Sequence, residues 1–152
     1  MQFLKILTPV LVATIVAASV PSTALAQGAN DSVLTEMAQA FRKGDRKKLA
    51  QLLPQARGHV LEPWAAYWEL KARLDEASPQ EVDAFLQRYA GTYHEDRLRN
   101  DWLLQLGKRR EWEAFAAHHP LSRMSADREV RCYALLVDQL RGTTVASDKT
   151  VA

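Results

Sequence analysis

DRLRNDWLLQLGKRREWEAF, residues 96–115, sets two tryptophans ten positions apart with a glycine and a basic cluster between them. Trp102 and Trp112 either grip a ligand or hold two helices together, and the choice decides whether the chain reads as an active protein or as scaffold. Leu98, Trp102 and Leu106 recur at four-residue spacing, which puts them on one stripe of a helix. Trp112, Phe115 and Ala116 form the corresponding stripe of the next helix. Aromatic residues at helical spacing are usually interior. The expectation is that Gly107 lets the chain reverse and that the two indoles meet across the hairpin, burying about 150–250 Å² each. Lys108-Arg109-Arg110 is then a solvated turn.

Helix punctuation continues on both sides of this stretch, with no Val/Ile/Thr-rich alternation to suggest strands. Asp31 or Ser32 caps a first helix carrying Leu34, Met37, Ala38 and Phe41, which Gly44 ends. Asp45 caps a short second helix bearing Leu49, Leu52 and Leu53, stopped by Pro54. Pro63 opens a third, Trp64 to Leu74. Ser78-Pro79-Gln80-Glu81 is a capping box that starts a fourth, through Val82, Phe85, Leu86 and Tyr89 to Gly91. Thr92-Tyr93-His94-Glu95 is a second box, opening the fifth helix to Gly107. The sixth holds Trp112 and Phe115 and stops before Pro120. The seventh runs from Ser125 or Asp127 through Val130, Tyr133, Val137 and Leu140 to Gly142.

Seven helices joined by short connections imply antiparallel neighbours, in either a closed bundle or an open stack. Apolar width separates the two, because a stacked helix touches its own partner and the next pair. Trp64, Tyr67, Trp68, Leu70 and Leu74 wrap too far round the third helix for one stripe, and Leu98, Trp102, Leu103, Leu104 and Leu106 do the same on the fifth. Cys132, Leu135 and Leu136 widen the seventh. Pairs begin near Asp31, Pro63, Thr92 and Ser125, in the range of helical repeats. The reading is all-α: antiparallel helical hairpins stacked as a right-handed superhelix of tetratricopeptide-like kind, a partial array. Its expected interior comprises Trp64, Trp68, Phe85, Tyr89, Leu98, Trp102, Trp112, Phe115 and Tyr133.

Residues 1–26 read as a signal peptide: Lys5, then the apolar run Leu7–Val20, then Ala24-Leu25-Ala26 before a cut at Gln27. The helical domain is then 27–142, and TTVASDKTVA, within 143–152, reads as a disordered tail. Loss of Lys5 takes the basic count from 20 to 19 against 18 acids, so the exported chain is nearly neutral and lacks the basic excess of a nucleic-acid binder. No second segment is apolar enough for a membrane span, and the expected location is the periplasm. Cys132, single in the sequence, is expected to be a buried and inert thiol.

Little here suggests chemistry. Most carboxylates fall at caps, in first turns or on polar helix sides, and Glu81 and Glu95 are engaged in capping boxes. Adjacent His118 and His119 diverge on a helix and make a poor metal pair; His94-Glu95-Asp96 lacks the second histidine of a zinc-protease motif. No phosphate loop, dinucleotide fingerprint or nucleophile elbow occurs. No catalytic, cofactor or metal residue is assigned, and no cofactor is expected.

LRNDWLLQLGKRREWEAF, then HP and DREVRCYALL, resembles the superhelical N-terminal region of the soluble lytic murein transglycosylases. The matching residues are Leu98, Arg99, Trp102, Leu103, Leu106, Gly107, Lys108, Arg109, Trp112, Phe115, Cys132 and Tyr133, with WAAYWEL at 64–70 and VDAFLQRY at 82–89 similar to the preceding hairpin. The resemblance implies a periplasmic protein whose helical pairs curve into a ring around peptidoglycan glycan strands. A separate lysozyme-like domain would carry the catalytic glutamate of a Glu-Ser pair, which this sequence lacks. The expected function is therefore a scaffold segment of such an enzyme, non-catalytic alone. The alternative is a stand-alone periplasmic tetratricopeptide-like module that binds a partner peptide in its groove.

Overall fold

The structure, a computed structural model, describes the backbone of residues 23–149 and the side chains of residues 31–142. Residues 1–22 of the expected signal segment and 150–152 of the expected tail lie outside the described residues. The described chain is all-α: α1 (Thr23–Lys43), α2 (Arg46–Leu52), α3 (Glu62–Ala72), α4 (Pro79–Arg88), α5 (Tyr93–Arg109), α6 (Trp112–His118) and α7 (Arg128–Lys149), without a strand.

Side-chain caps set most of the starts. The Asp45 carboxylate accepts the Lys48 N–H at 2.9 Å and begins α2. Ser78 and Glu81 form the reciprocal box at α4. At α5 only half of the expected box forms. Thr92 accepts the Glu95 N–H, but the Glu95 carboxylate reaches one residue further back, to the Gly91 N–H at 2.7 Å. Asp127 settles the start of α7 by accepting the N–H groups of Glu129 and Val130.

The α-helices α2 and α6 stop at Leu52 and His118, before Pro54 and Pro120 as expected, and each proline then sits inside a short 3₁₀ turn, Leu53–Ala56 and His119–Leu121, at a position that donates no hydrogen bond. The outermost ends depart more from the sequence reading. The first helix already runs from Thr23 among the described residues, so Asp31 and Ser32 lie within it instead of capping it; Ala24, Leu25, Ala26, Gln27 and Ala29 are good helix formers. The last runs through Gly142 to Lys149, an interior glycine costing only about 1 kcal/mol.

Gly107 has a different role from the one its place in the sequence suggests. The fifth helix passes through it to Arg109, and Arg110, with φ 59°, turns the chain. A Cβ on Gly107 would lie 2.3, 2.5 and 2.7 Å from Cδ2, Cε2 and Cγ of Tyr133. The glycine is there so that the Tyr133 ring can lie against the α5 backbone. Gly107→Ala is therefore expected to destabilise by about 1–3 kcal/mol, outweighing the ~1 kcal/mol alanine gains in a helix. Adding Tyr133→Ala removes the clash, so urea denaturation of both singles and the double should give strong coupling. A stabilised Gly107→Ala protein would refute this packing.

The helices pack in a continuing series. Leu34, Met37 and Ala40 of α1 meet Leu49 of α2 and Ala65 of α3 in one cluster. Leu70 of α3, Phe85 of α4, Leu98 to Leu106 of α5, Phe115 of α6 and Val130 and Val137 of α7 form a second. Trp68 packs against both and joins them. The odd-numbered helices touch in order, α1 on α3, α3 on α5 and α5 on α7, while α2 and α6 each fill the side of two of them and α4 lies on α5. Burial of the stripes drives this order, since α2, α3, α4 and α6, of 7 to 11 residues, are too short to be stable alone in water.

Candidate functional site

The aromatic residues singled out in the sequence fall on this packing. Trp64 meets His94 edge-on at 4.7 Å and Trp68 at 5.8 Å, and Trp68 stacks on Phe41 at 6.3 Å. Phe85 and Tyr89 lie 4.7 Å apart, both buried. Leu98, Trp102 and Phe115 are at most 1% exposed. Trp112 and Tyr133 are partly buried and pair at 6.2 Å, and Phe115 meets Tyr133 edge-on, also at 6.2 Å. The expected meeting of Trp102 with Trp112 is thus replaced. Because Tyr133 enters over Gly107, Trp112 finds that ring instead, and Trp102 lies beneath the Arg109 guanidinium at 5.6 Å.

The sequence reading overlooked a buried polar ridge on α5. Asp96, Arg99, Asn100 and Asp101 are each 4–7% exposed. Asp101 accepts the Tyr67 hydroxyl at 2.7 Å and pairs with Lys71 at 2.7 Å, which fixes α5 to α3. Burial, together with the Asp101 carboxylate, pushes the Tyr67 hydroxyl up to about 12 against the opposing Arg97. Asn100 donates to Asp127 at 3.0 Å, and Arg123 donates to Asp96 through its backbone N–H and its Nε, which fixes α5 to the approach to α7. The clue in the sequence was Asp96 and Asn100, one turn apart on a helix that also carries the apolar stripe Leu98, Trp102 and Leu106. Charge alone gave no way to tell this ridge from a solvated face.

A groove of ≈ 290 Å³ lies between the 3₁₀ turn Leu53–Ala56, α3 and α4. Leu53, Ala66, Leu70, Phe85 and Tyr89 supply apolar lining; Arg57, Glu62, Glu69, Arg73, Glu81 and Arg88 supply the charge. Arg73 holds Glu69 and Glu81, each at 2.7 Å, and Arg88 and Tyr89 hold Glu62. Glu62 is held below the usual carboxylate range first by the Gly58 N–H, and Glu81 is brought down to about 2, first by the Ser78 N–H and then by Arg73. These two carboxylates stay ionised near neutrality and carry no proton for acid catalysis. What the groove can do is bind: an apolar floor framed by internally neutralised charge.

The histidines and the cysteine are dispersed. Burial lowers the pKa of His94 and of His118. His118 lies 3.4 Å from Arg99 and 3.9 Å from Asp83, while His119 stacks on Phe115 at 5.5 Å. Among the described residues no three His, Cys, Asp or Glu side chains converge as a metal-holding group, and no helix is long and apolar enough to cross a membrane. Cys132 is exposed, not buried as expected, because α7 turns Val130, Tyr133 and Val137 inward and leaves Cys132 on the opposite side.

No protein-family model matches the chain, and neither does any curated protein or any solved structure.

Proposed function

We propose that this chain is the scaffold segment of an exported peptidoglycan lytic transglycosylase, a right-handed stack of helical hairpins that helps to hold murein glycan strands and leaves bond cleavage to another domain. The observation that carries this reading is the placement of the motif residues. Leu98, Trp102, Leu103, Leu106 and Phe115 are essentially unexposed, and Gly107 lies beneath Tyr133. These apolar residues of the resemblance, with Gly107 and Tyr133, cement α5, α6 and α7 together, whereas Lys108 and Cys132 are exposed. The serial contacts of α1, α3, α5 and α7 support a stacked array over a closed bundle. The second reading, a periplasmic tetratricopeptide-like module that binds a partner peptide, is favoured by the groove between α3 and α4, whose apolar floor suits a side chain.

Incubation with purified murein sacculi tests the first reading. The chain should sediment with the sacculi and release no 1,6-anhydro-muropeptides. A chain that stays in the supernatant contradicts the murein assignment, and released anhydro products contradict the division of labour.

A further inference from the structure

A second concavity lies at the far side of the α5–α7 contact, a groove of ≈ 620 Å³ whose lining includes Trp112, Tyr133 and Leu136 with Lys108 and Arg110. It runs along α7, where Leu136 and Leu140 both line it and are each 42% exposed. Side chains of this size, one turn apart on the same helix face, form a contiguous apolar patch rather than a scattering. The opposite end of the series is built differently. There α1 turns Thr35, Glu36, Gln39 and Lys43 outward, a polar face.

From this asymmetry we infer that the α7 face, with the Trp112–Leu136 groove, docks an amphipathic helix of a partner that carries leucines on one stripe and carboxylates along its flank. The molecule holds its own precedent: the α5 surface at Gly107 is covered by Tyr133 of the next odd-numbered helix. A helix suits the site because ridges of side chains one turn apart seat in the grooves of another helix. Charge chooses the flank. Lys108 and Arg110 are exposed at the groove, whereas neighbouring Arg109 is engaged with Glu111, the Asp75 carbonyl and the Trp102 ring. A head-to-tail second copy does not fit, since it would lay the polar α1 face on leucines. The inference does not depend on the murein assignment.

Fluorescence anisotropy tests it with two labelled peptides of about 18 residues, five helical turns. One has leucines at helical spacing and glutamates on both flanks, and its twin has lysines in place of the glutamates. The full chain should bind the acidic peptide at least about tenfold more tightly than the basic one. Leu136→Asp should weaken that binding about tenfold or more. Leu140→Asp is the second variant, and unchanged circular dichroism shows that each is folded. Lys108→Glu with Arg110→Glu should reverse the preference between the peptides. Failure of the acidic peptide to bind, equal affinity for the twins, or indifference to both leucine variants overturns the proposal. So does sedimentation showing a dimer that Leu136→Asp dissolves, which would make a second copy the occupant.

Discussion

Trp102→Ala is expected to cost about 3–5 kcal/mol, while Trp112→Ala, ten residues on, should cost less than half as much. Trp102 is 1% exposed at the centre of the larger cluster, so its loss leaves a cavity that α3, α4 and α6 cannot all collapse to fill. It also removes the face on which the Arg109 guanidinium rests. Trp112 is only partly buried and presents one side to the groove, so truncation exposes Tyr133 without opening an interior void. Stabilities of domains this size lie near 5–15 kcal/mol. The first variant should therefore be marginal or unfolded, and the second folded, in urea titrations followed by circular dichroism. Equal losses would place both indoles in the same environment and contradict the packing described here.

Asp101→Ala is expected to destabilise by about 2–4 kcal/mol, a large effect for a residue that charge alone assigns to the surface. Its carboxylate is the shared acceptor for the Tyr67 hydroxyl and Lys71, and its side chain is only 6% exposed. Removal strands a buried hydroxyl; Lys71, 34% exposed, can still turn to water, which keeps the loss below that of a fully buried ion pair. Tyr67→Phe alone should cost about 1 kcal/mol. In the double variant the two losses should fall short of adding, because both break the same bond. Additive losses would mean that the contact between α3 and α5 does not run through this pair.

The residues that declared themselves in the sequence were those with a local physical cause. Ser78 with Glu81, and Asp45 before a short helix, mark starts because their side chains can reach the first free N–H groups within three residues. Leu98, Trp102 and Phe115 mark interior because spacing of three or four keeps apolar groups on one face. What escaped was set by partners distant in the chain. Gly107 looks like a helix end until Tyr133, 26 residues later, is seen to need its bare backbone. Asp96, Asn100 and Asp101 look solvated until Arg123, Asp127, Tyr67 and Lys71 are brought to them. Cys132 was assigned to the interior by its residue type, although α7 faces the core from its other side. The α3–α4 groove left no motif, since its lining comes from three separate segments.

The most direct test of whether the tryptophans of residues 96–115 hold helices or a ligand is two-dimensional NMR of the indole N–H groups in the intact chain, during titration with solubilised murein fragments. The account predicts that the Trp102 indole exchanges with solvent more slowly than that of Trp112, and that neither resonance moves as fragments are added. Saturable shifts of both, with rapid exchange at Trp102, would mean that the two rings line a binding surface.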